Sequence, residues 1–248
     1  MPHRFHVANL PETGLVTVDA AEAHHIIHVL RGAVGDIVEL FDGCGLAVSA
    51  EITSVRRRDV ELRIITARRE ARPARGIILG TAVPKGDRFD WLIEKATELG
   101  VTRIVPLVTT RSVVDPRDSK LDKLRQTVIA ACKQSGRNHL LELSPVTAWN
   151  DFVTGDVSNH ASFIAHPGPG AAPMTSSLLS GHAIIVFAIG PEGGFTDDEV
   201  ALAVAYGAKP ISLGPLTLRI ETAALVLASV SVMSAAVGFS ARGPHGIV

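Results

Sequence analysis

The sequence predicts an α/β chain in two parts: a small β-rich block, then an open, largely parallel sheet covered by helices on both faces. Three observations predict this. Up to about residue 70, strand-forming runs are separated by turn signals and interrupted by one helical stretch. From residue 76, apolar strand-like runs alternate with amphipathic helical ones, the pattern of parallel strands joined by helical crossovers. Two of the later strands end in glycine-bearing turns that lead straight into helix starts. On sheets of this kind, ligands sit at the carboxyl ends of the strands.

In the first block, DIVELFDG (36–43), LAVSAEITSV (46–55) and DVELRIITA (59–67) read as strands, with DGCG and RRRD as the turns between them. DAAEAHHIIHVLRG (19–32) reads as a helix. Asp19 can cap it, Glu22 stands three residues on, and Gly32 follows its end. Short strands plus one helix predict a small barrel over residues 1–72. The arginine-rich seam RREARPAR (68–75), preceded by three arginines at 56–58, joins the parts. Its side chains can meet phosphate or simply solvate a linker.

In the second block, IILGTAVP (77–84) reads as a buried strand. KGDRFDWLIEKATELG (85–100) then sets Phe89, Leu92, Ile93, Ala96 and Leu99 at three- and four-residue spacing and stops at Gly100. VTRIVPLV (101–108) is the next strand and SKLDKLRQTVIAACKQSG (119–136) the next helix. Further strands are expected at ASFIAH (161–166), AIIVFAI (183–189) and KPISLG (209–214). TAALVLASVSVMSAAVGF (222–239) carries no charge for 18 residues, the lower limit of a membrane span. Its small residues drive insertion poorly, so it predicts a helix buried in a core or subunit interface.

A chain of 248 residues, 46% hydrophobic and 20% charged, can bury a sizeable core. The net charge of −1 is unevenly spread: residues 73–150 carry 12 Lys/Arg against 8 Asp/Glu, and residues 151–248 carry 3 against 7. A polyanion would therefore be met by a local patch, not by a generally basic surface. Cys44 and Cys132 are too few for a zinc site and do not suggest a secreted disulfide scaffold. The opening MPHRFHVANL lacks the basic start and apolar core of a signal peptide. These features predict a soluble, cytoplasmic protein.

The most informative stretch is AIGPEGGFTDDEV (188–200). An apolar run stops at Gly190, Gly193 and Gly194 follow, and Glu192 sits inside the turn. Thr196 reads as a helix cap, Glu199 as the other half of a capping box, and Phe195 with Val200 as a hydrophobic staple. Neither GxGxxG nor GxxxxGK[ST] occurs in the chain. Asp197, Asp198 and Glu199 already neutralise the positive end of the helix, so phosphate is disfavoured and a neutral or cationic ligand is not. SLGPLTLRIETAA (212–224) repeats the plan, with Arg219, Glu221 and Thr222 opening a helix. Backbone geometry alone explains either loop; facing each other, the two would wall one pocket.

IGPEGGFTDDEV followed by LGPLTLRIETAALVLAS resembles the paired signature of the SPOUT-class RNA methyltransferases, and more closely the bacterial 16S ribosomal RNA uracil-N3 methyltransferases, the RsmE family. The resemblance runs along nearly the whole chain. It takes in Arg4-Phe5, HHIIHVLRGAVGD (24–36), FDG (41–43), KGDRFDWLIEKATELGV (85–101), Arg111 and AACKQSGR (130–137). Leu141 stands where that family usually has proline.

The resemblance implies a PUA-like β-barrel RNA-binding domain over 1–72 and, over 73–248, an α/β methyltransferase domain threaded into a trefoil knot. It implies S-adenosyl-L-methionine bound at the knot, a homodimer, and methylation of uridine N3 in the 16S rRNA of the small ribosomal subunit, at the decoding region. No metal and no membrane are implied. The cofactor would rest on backbone groups of Ile189, Gly190, Gly193, Gly194, Leu213, Gly214 and Leu218. Arg219 is the first choice for stabilising the uracilate or gripping a phosphate, unless it pairs with Glu221. Glu192 would orient its loop or accept the proton; a buried His166 or water could serve as base instead. Arg4, Arg31, Lys85, Lys95, Arg111 and Arg137 are the RNA candidates. His24 and His28 share a helix face with no carboxylate or cysteine partner apparent, which favours a structural or RNA-contacting role over a metal site. Ribose 2′-O methylation of RNA, and a non-catalytic ribosome assembly factor, are the alternatives.

Overall fold

The structure, a computed structural model, describes residues 3–18, 20–57, 59–113 and 118–235, with the backbone alone for 118–121. Contacts divide the chain into two compact units, Met1–Pro73 with Arg125–Leu140, and Ala74–Leu124 with Leu141–Val248. The stretch Arg125–Leu140, which the division at 72/73 assigns to the second domain, clusters with the first unit.

The first unit is built on a five-stranded sheet of β1 (Arg4–His6), β2 (Leu15–Thr17), β3 (Ile37–Phe41), β4 (Leu46–Val55) and β5 (Val60–Arg69), in the order β1-β3-β4-β5-β2. β1 runs parallel to β3 and the other pairs are antiparallel. Alternate residues of these strands point into one apolar cluster holding Phe5, Val16, Leu40, Ile52 and Leu62. β1 and β2, three residues each, are too short to show an alternation in sequence and were not expected.

The expected helix is divided, with α1 (Ala20–His24) passing into one wider turn at His25–Val29. Asp19, its expected cap, lies outside the described residues. Glu22 does not cap: it is buried and takes an ion pair from Lys133. The left-handed turn that ends the segment falls on Arg31, at φ 55°, and not on Gly32. Gly32 is small for a packing reason, since a Cβ there would lie 2.9 Å from Ile26 Cγ2.

The second unit is an eight-stranded sheet in which every pair is parallel. Its strands are β6 (Gly76–Ala82), β7 (Arg103–Val108), β8 (Glu142–Leu143), β9 (Thr147–Ala148), β10 (Ala161–Ala165), β11 (Ala172–Pro173), β12 (Ile184–Ile189) and β13 (Lys209–Ser212). Their order is β11-β13-β10-β12-β6-β7-β8, with β9 also beside β7. The helices are α2 (Arg88–Glu98), α3 (Asp118–Ser135, whose later residues belong to the first unit), α4 (Trp149–Phe152), α5 (Asp197–Ala205) and α6 (Ile220–Ala235).

β12 lies near the middle of the sheet and is buried from Ile185 to Ile189, which is why its sequence is a continuous apolar run. α2 buries Phe89, Leu92, Ile93 and Ala96, four of the five residues that its spacing selects, while Leu99 is half-buried, and Gly100 at φ +84° ends it. The chain enters β8 directly after a buried Leu141, where the family usually has proline. α6 buries Ala223, Ala224, Leu227 and Ala228 and leaves Val226, Val232 and Met233 exposed. Among the described residues no helix is long and apolar enough to cross a membrane.

Candidate active site

β13, β10 and β12 are neighbours and parallel, so their carboxyl ends open on one side. The segments leaving those ends wall a single cavity of about 370 Å³, within the range of small-molecule sites. Ala165 ends β10 and Pro167 follows it. Ile189 ends β12, Gly190, Glu192 and Gly194 come from the turn after it, and Leu213, Gly214, Leu218 and Arg219 from the loop after β13. The two glycine loops thus face one pocket. Of the sequence-predicted ligand residues only Gly193 lies off its wall.

The glycines serve different ends. A Cβ on Gly190 would lie 3.0 Å from the Phe195 ring, and one on Gly193 would lie 3.3 Å from Arg111 Cδ. Those two glycines make room for the protein itself, and Gly190 also borders the cavity. Gly194 and Gly214 adopt φ +69° and +119°, and a Cβ on either would meet no atom within 4 Å. At these positions the backbone conformation demands glycine, and both border the cavity.

The turn after β12 is held from below. Phe195 is buried and packs 4.6 Å from the Trp149 ring. The capping box is present: Thr196 Oγ1 accepts from the Glu199 N–H at 3.2 Å, and Glu199 Oε2 accepts from the Thr196 N–H at 2.8 Å. The second oxygen, Oε1, accepts from the Thr110 N–H at 2.7 Å, and Trp149 Nε1 donates to the Glu199 carbonyl. Burial pushes the Glu199 carboxyl up, but the backbone N–H groups of Thr110 and Thr196 outweigh it and hold the group below its ordinary value.

Arg219 is exposed, lines the cavity and makes no ion pair among the described residues. Glu221 is buried and faces Arg88 instead, with Nη1 to Oε1 3.7 Å; its Oε2 has no hydrogen-bond partner among the described residues. Arg88 Nη2 also lies 3.8 Å from Glu192 Oε1. Sequence reasoning missed Arg88, although it opens α2 just past the carboxyl end of β6.

Two RNA candidates have intramolecular partners. Arg4 is buried. Its Nε donates to Glu39 at 2.6 Å, Nη1 to the Cys132 carbonyl at 2.7 Å, and Nη2 to Asn138, so its donors are committed inside the first unit. Arg111 Nη1 donates to the Gly193 carbonyl at 2.7 Å and braces the glycine turn. Lys95 pairs with Glu94 and Glu98, Arg137 is half-buried with its pKa lowered by desolvation, and Arg31 and Lys85 are exposed. In the seam, Arg68 and Arg69 pair with Glu39 and Glu12, while Arg75 donates to the Ser231 carbonyl and Ser234 Oγ on α6. His24 and His28 lie ring to ring at 4.6 Å, and no group of three or more potential metal ligands occurs among the described residues.

Residues 71–232 match the family model of the RNA methyltransferase domain, and 18–65 that of the RNA methyltransferase PUA domain. The ribosomal RNA small subunit methyltransferase E of Synechocystis sp. is 33% identical over 214 residues, covering 85% of this chain and 70% of the relative. The Bacillus subtilis protein of the same name is 31% identical, covering 87% and 89%. The chain belongs to the ribosomal RNA small subunit methyltransferase E family. Its RsmE-type fold is found in the Neisseria gonorrhoeae protein of that name, solved with bound S-adenosyl methionine, at 31% identity, TM-score 0.83 and coverage of 92% and 95%. A methyltransferase from Legionella pneumophila, solved with the same cofactor, aligns at 30% identity, TM-score 0.83 and coverage of 94% and 98%.

The cavity suits such a group. Ile189, Leu213, Leu218 and Ile220 give it apolar walls, with Gly190, Gly194 and Gly214 at its edge. Glu221 Oε2, on the residue next to Ile220, is a buried acceptor without a donor among the described residues.

Proposed function

We propose that the chain transfers a methyl group to N3 of a uridine in the 16S rRNA of the small ribosomal subunit, at its decoding region, and that it acts in the cytoplasm as a homodimer. The observation that carries the proposal is the convergence of both glycine loops and Arg219, without an ion pair among the described residues, on one cavity. S-adenosyl-L-methionine, when bound there, supplies a methyl group on a cationic sulfur. Ile189, Gly190, Gly194, Leu213, Gly214 and Leu218 would hold it, Gly193 acting through the shape of the turn. The three carboxylates in the first turn of α5 favour a positively charged ligand over phosphate.

Arg219 stands at the cavity with its planar fork uncommitted, suited to the negative charge that develops on a uracil ring when its imide proton leaves. Glu192, exposed in the turn, is the group placed to orient the loop or take that proton. Positioning supplies much of the remaining rate. Arg31 and Lys85 are the exposed cations best suited to phosphate. The first unit, residues 1–72 with the later part of α3, would contribute RNA binding, and the remainder, threaded as the trefoil-knotted family implies, the chemistry. The apolar stripe of Val226, Val232 and Met233 on α6 supports a subunit contact.

The test is to incubate the protein with labelled methyl donor and small ribosomal subunits, then map the modified nucleotide. Label on uridine N3 supports the proposal. Label on a ribose 2′-oxygen replaces it with the alternative chemistry, and no label on either free 16S rRNA or subunits favours an assembly role.

A further inference from the structure

Arg88 stands between the two loops. Its Nε donates to the Lys85 carbonyl at 3.1 Å, which fixes the base of the guanidinium, and its two free ends point to different carboxylates. Nη2 faces Glu192 of the turn after β12 at 3.8 Å, and Nη1 faces Glu221 at the start of α6 at 3.7 Å. These are charge contacts too long for hydrogen bonds. The Glu192 side is half-exposed and worth little alone. The Glu221 side is not: that carboxylate is only 8% exposed and, among the described residues, one of its oxygens has no donor and Arg88 is the cation that faces it. A buried carboxylate is tolerated only with compensation. A lysine, as a single point charge, could not serve both ends.

We infer that Arg88 is a positioning residue for the methyl-donor pocket: it ties the two glycine loops together through Glu192 and Glu221 and masks their negative charge from the ligand. This rests on the methyl-donor reading above. Two effects follow from one side chain. Loosening the tie weakens any adenosyl ligand, whatever its charge. Unmasking the carboxylates favours a sulfonium over a neutral thioether, because only the former carries the extra positive charge. Arg88 therefore also sets how strongly the demethylated product competes with the donor.

The experiment is titration calorimetry with S-adenosylmethionine and S-adenosylhomocysteine on the full chain. Arg88→Met is expected to weaken the thioether about tenfold and the sulfonium clearly less, shifting the ratio of the two constants at least threefold toward the donor. Arg88→Lys keeps the charge and loses the fork, so both ligands weaken with the ratio unchanged. Glu192→Gln, at an exposed site that leaves folding intact, shifts the ratio the other way. In the Arg88→Met/Glu192→Gln pair the two ratio shifts should cancel in part. Equal weakening of both ligands in Arg88→Met, or affinities within twofold of the parent, would overturn the inference while leaving the methyl-donor reading standing. A parent protein that binds neither ligand would overturn both.

Discussion

Replacing Glu199 by Gln tests how the glycine turn is held. Both carboxylate oxygens are in use, Oε1 on the Thr110 N–H at 2.7 Å and Oε2 on the Thr196 N–H at 2.8 Å, and the side chain is buried. Glutamine offers one oxygen and one NH₂, so one backbone N–H meets a donor and is left unsatisfied. Losing a charge-assisted bond and stranding a buried donor costs about 1–3 kcal/mol, and removing a negative charge from a helix start costs roughly 0.5 kcal/mol more. For a chain of this size that is a fall in melting temperature of roughly 4–10 °C.

The effect has a pH signature. The Glu199 carboxyl titrates below its ordinary value when folded, so the unfolded chain takes up the proton first as pH falls. Its contribution is therefore complete above the ordinary value of about 4.3 and is lost as pH drops through the lower folded one. Urea unfolding followed by fluorescence of Trp149, whose indole donates to the Glu199 carbonyl, measures this at pH 7, 5 and 3.5. The gap between parent and variant should be full at the first two values and shrink at the last. A gap under about 0.5 kcal/mol at pH 7, or one that does not change with pH, would refute the account of how the turn is braced.

Three further outcomes are expected. Gly194→Val forces a β-branched residue to φ +69°, costs about 1–3 kcal/mol and abolishes binding of S-adenosylmethionine; unchanged affinity by calorimetry would move the ligand elsewhere. Arg31→Gly relieves a left-handed residue and should raise stability by about 0.5–1 kcal/mol, while weakening RNA binding and lowering the salt slope by about 1. An unchanged slope removes Arg31 from the RNA surface. Arg4→Met should cost about 3 kcal/mol by chemical denaturation because it strands buried partners, yet leave the salt slope alone; a lowered slope would restore Arg4 as a phosphate contact.

Periodicity made the second unit readable because its elements are long and buried in the way that periodicity reports. β12 is one apolar run, α2 buries four of the five apolar positions its spacing marks, and the Thr196–Glu199 cap stands where the letters put it. The short strands β1 and β2 have no period to read. Local spacing was misleading where a distant partner intervenes. Glu22 looked like half of a cap but answers Lys133, and Arg4 looked like a surface cation but answers Glu39, Cys132 and Asn138. Arg88 went unnoticed for the same reason, since its carboxylates come from positions 192 and 221. The two loops were legible as glycine turns, but only three-dimensional neighbourhood reveals which glycines accommodate Phe195 and Arg111 and which border the cavity.

The return of residues 125–140 to the first unit bears on the order in which the chain can be completed. Arg4 and Glu39 leave the ribosome early, but the Cys132 carbonyl and Asn138 that also hold the guanidinium lie 128 and 134 positions after Arg4. A nascent piece ending near residue 72 would close around a cation lacking two of its acceptors. The opening block is thus finished only once β6, α2 and β7 have been synthesised, and severing the polypeptide at the seam would leave that block short of part of its own unit.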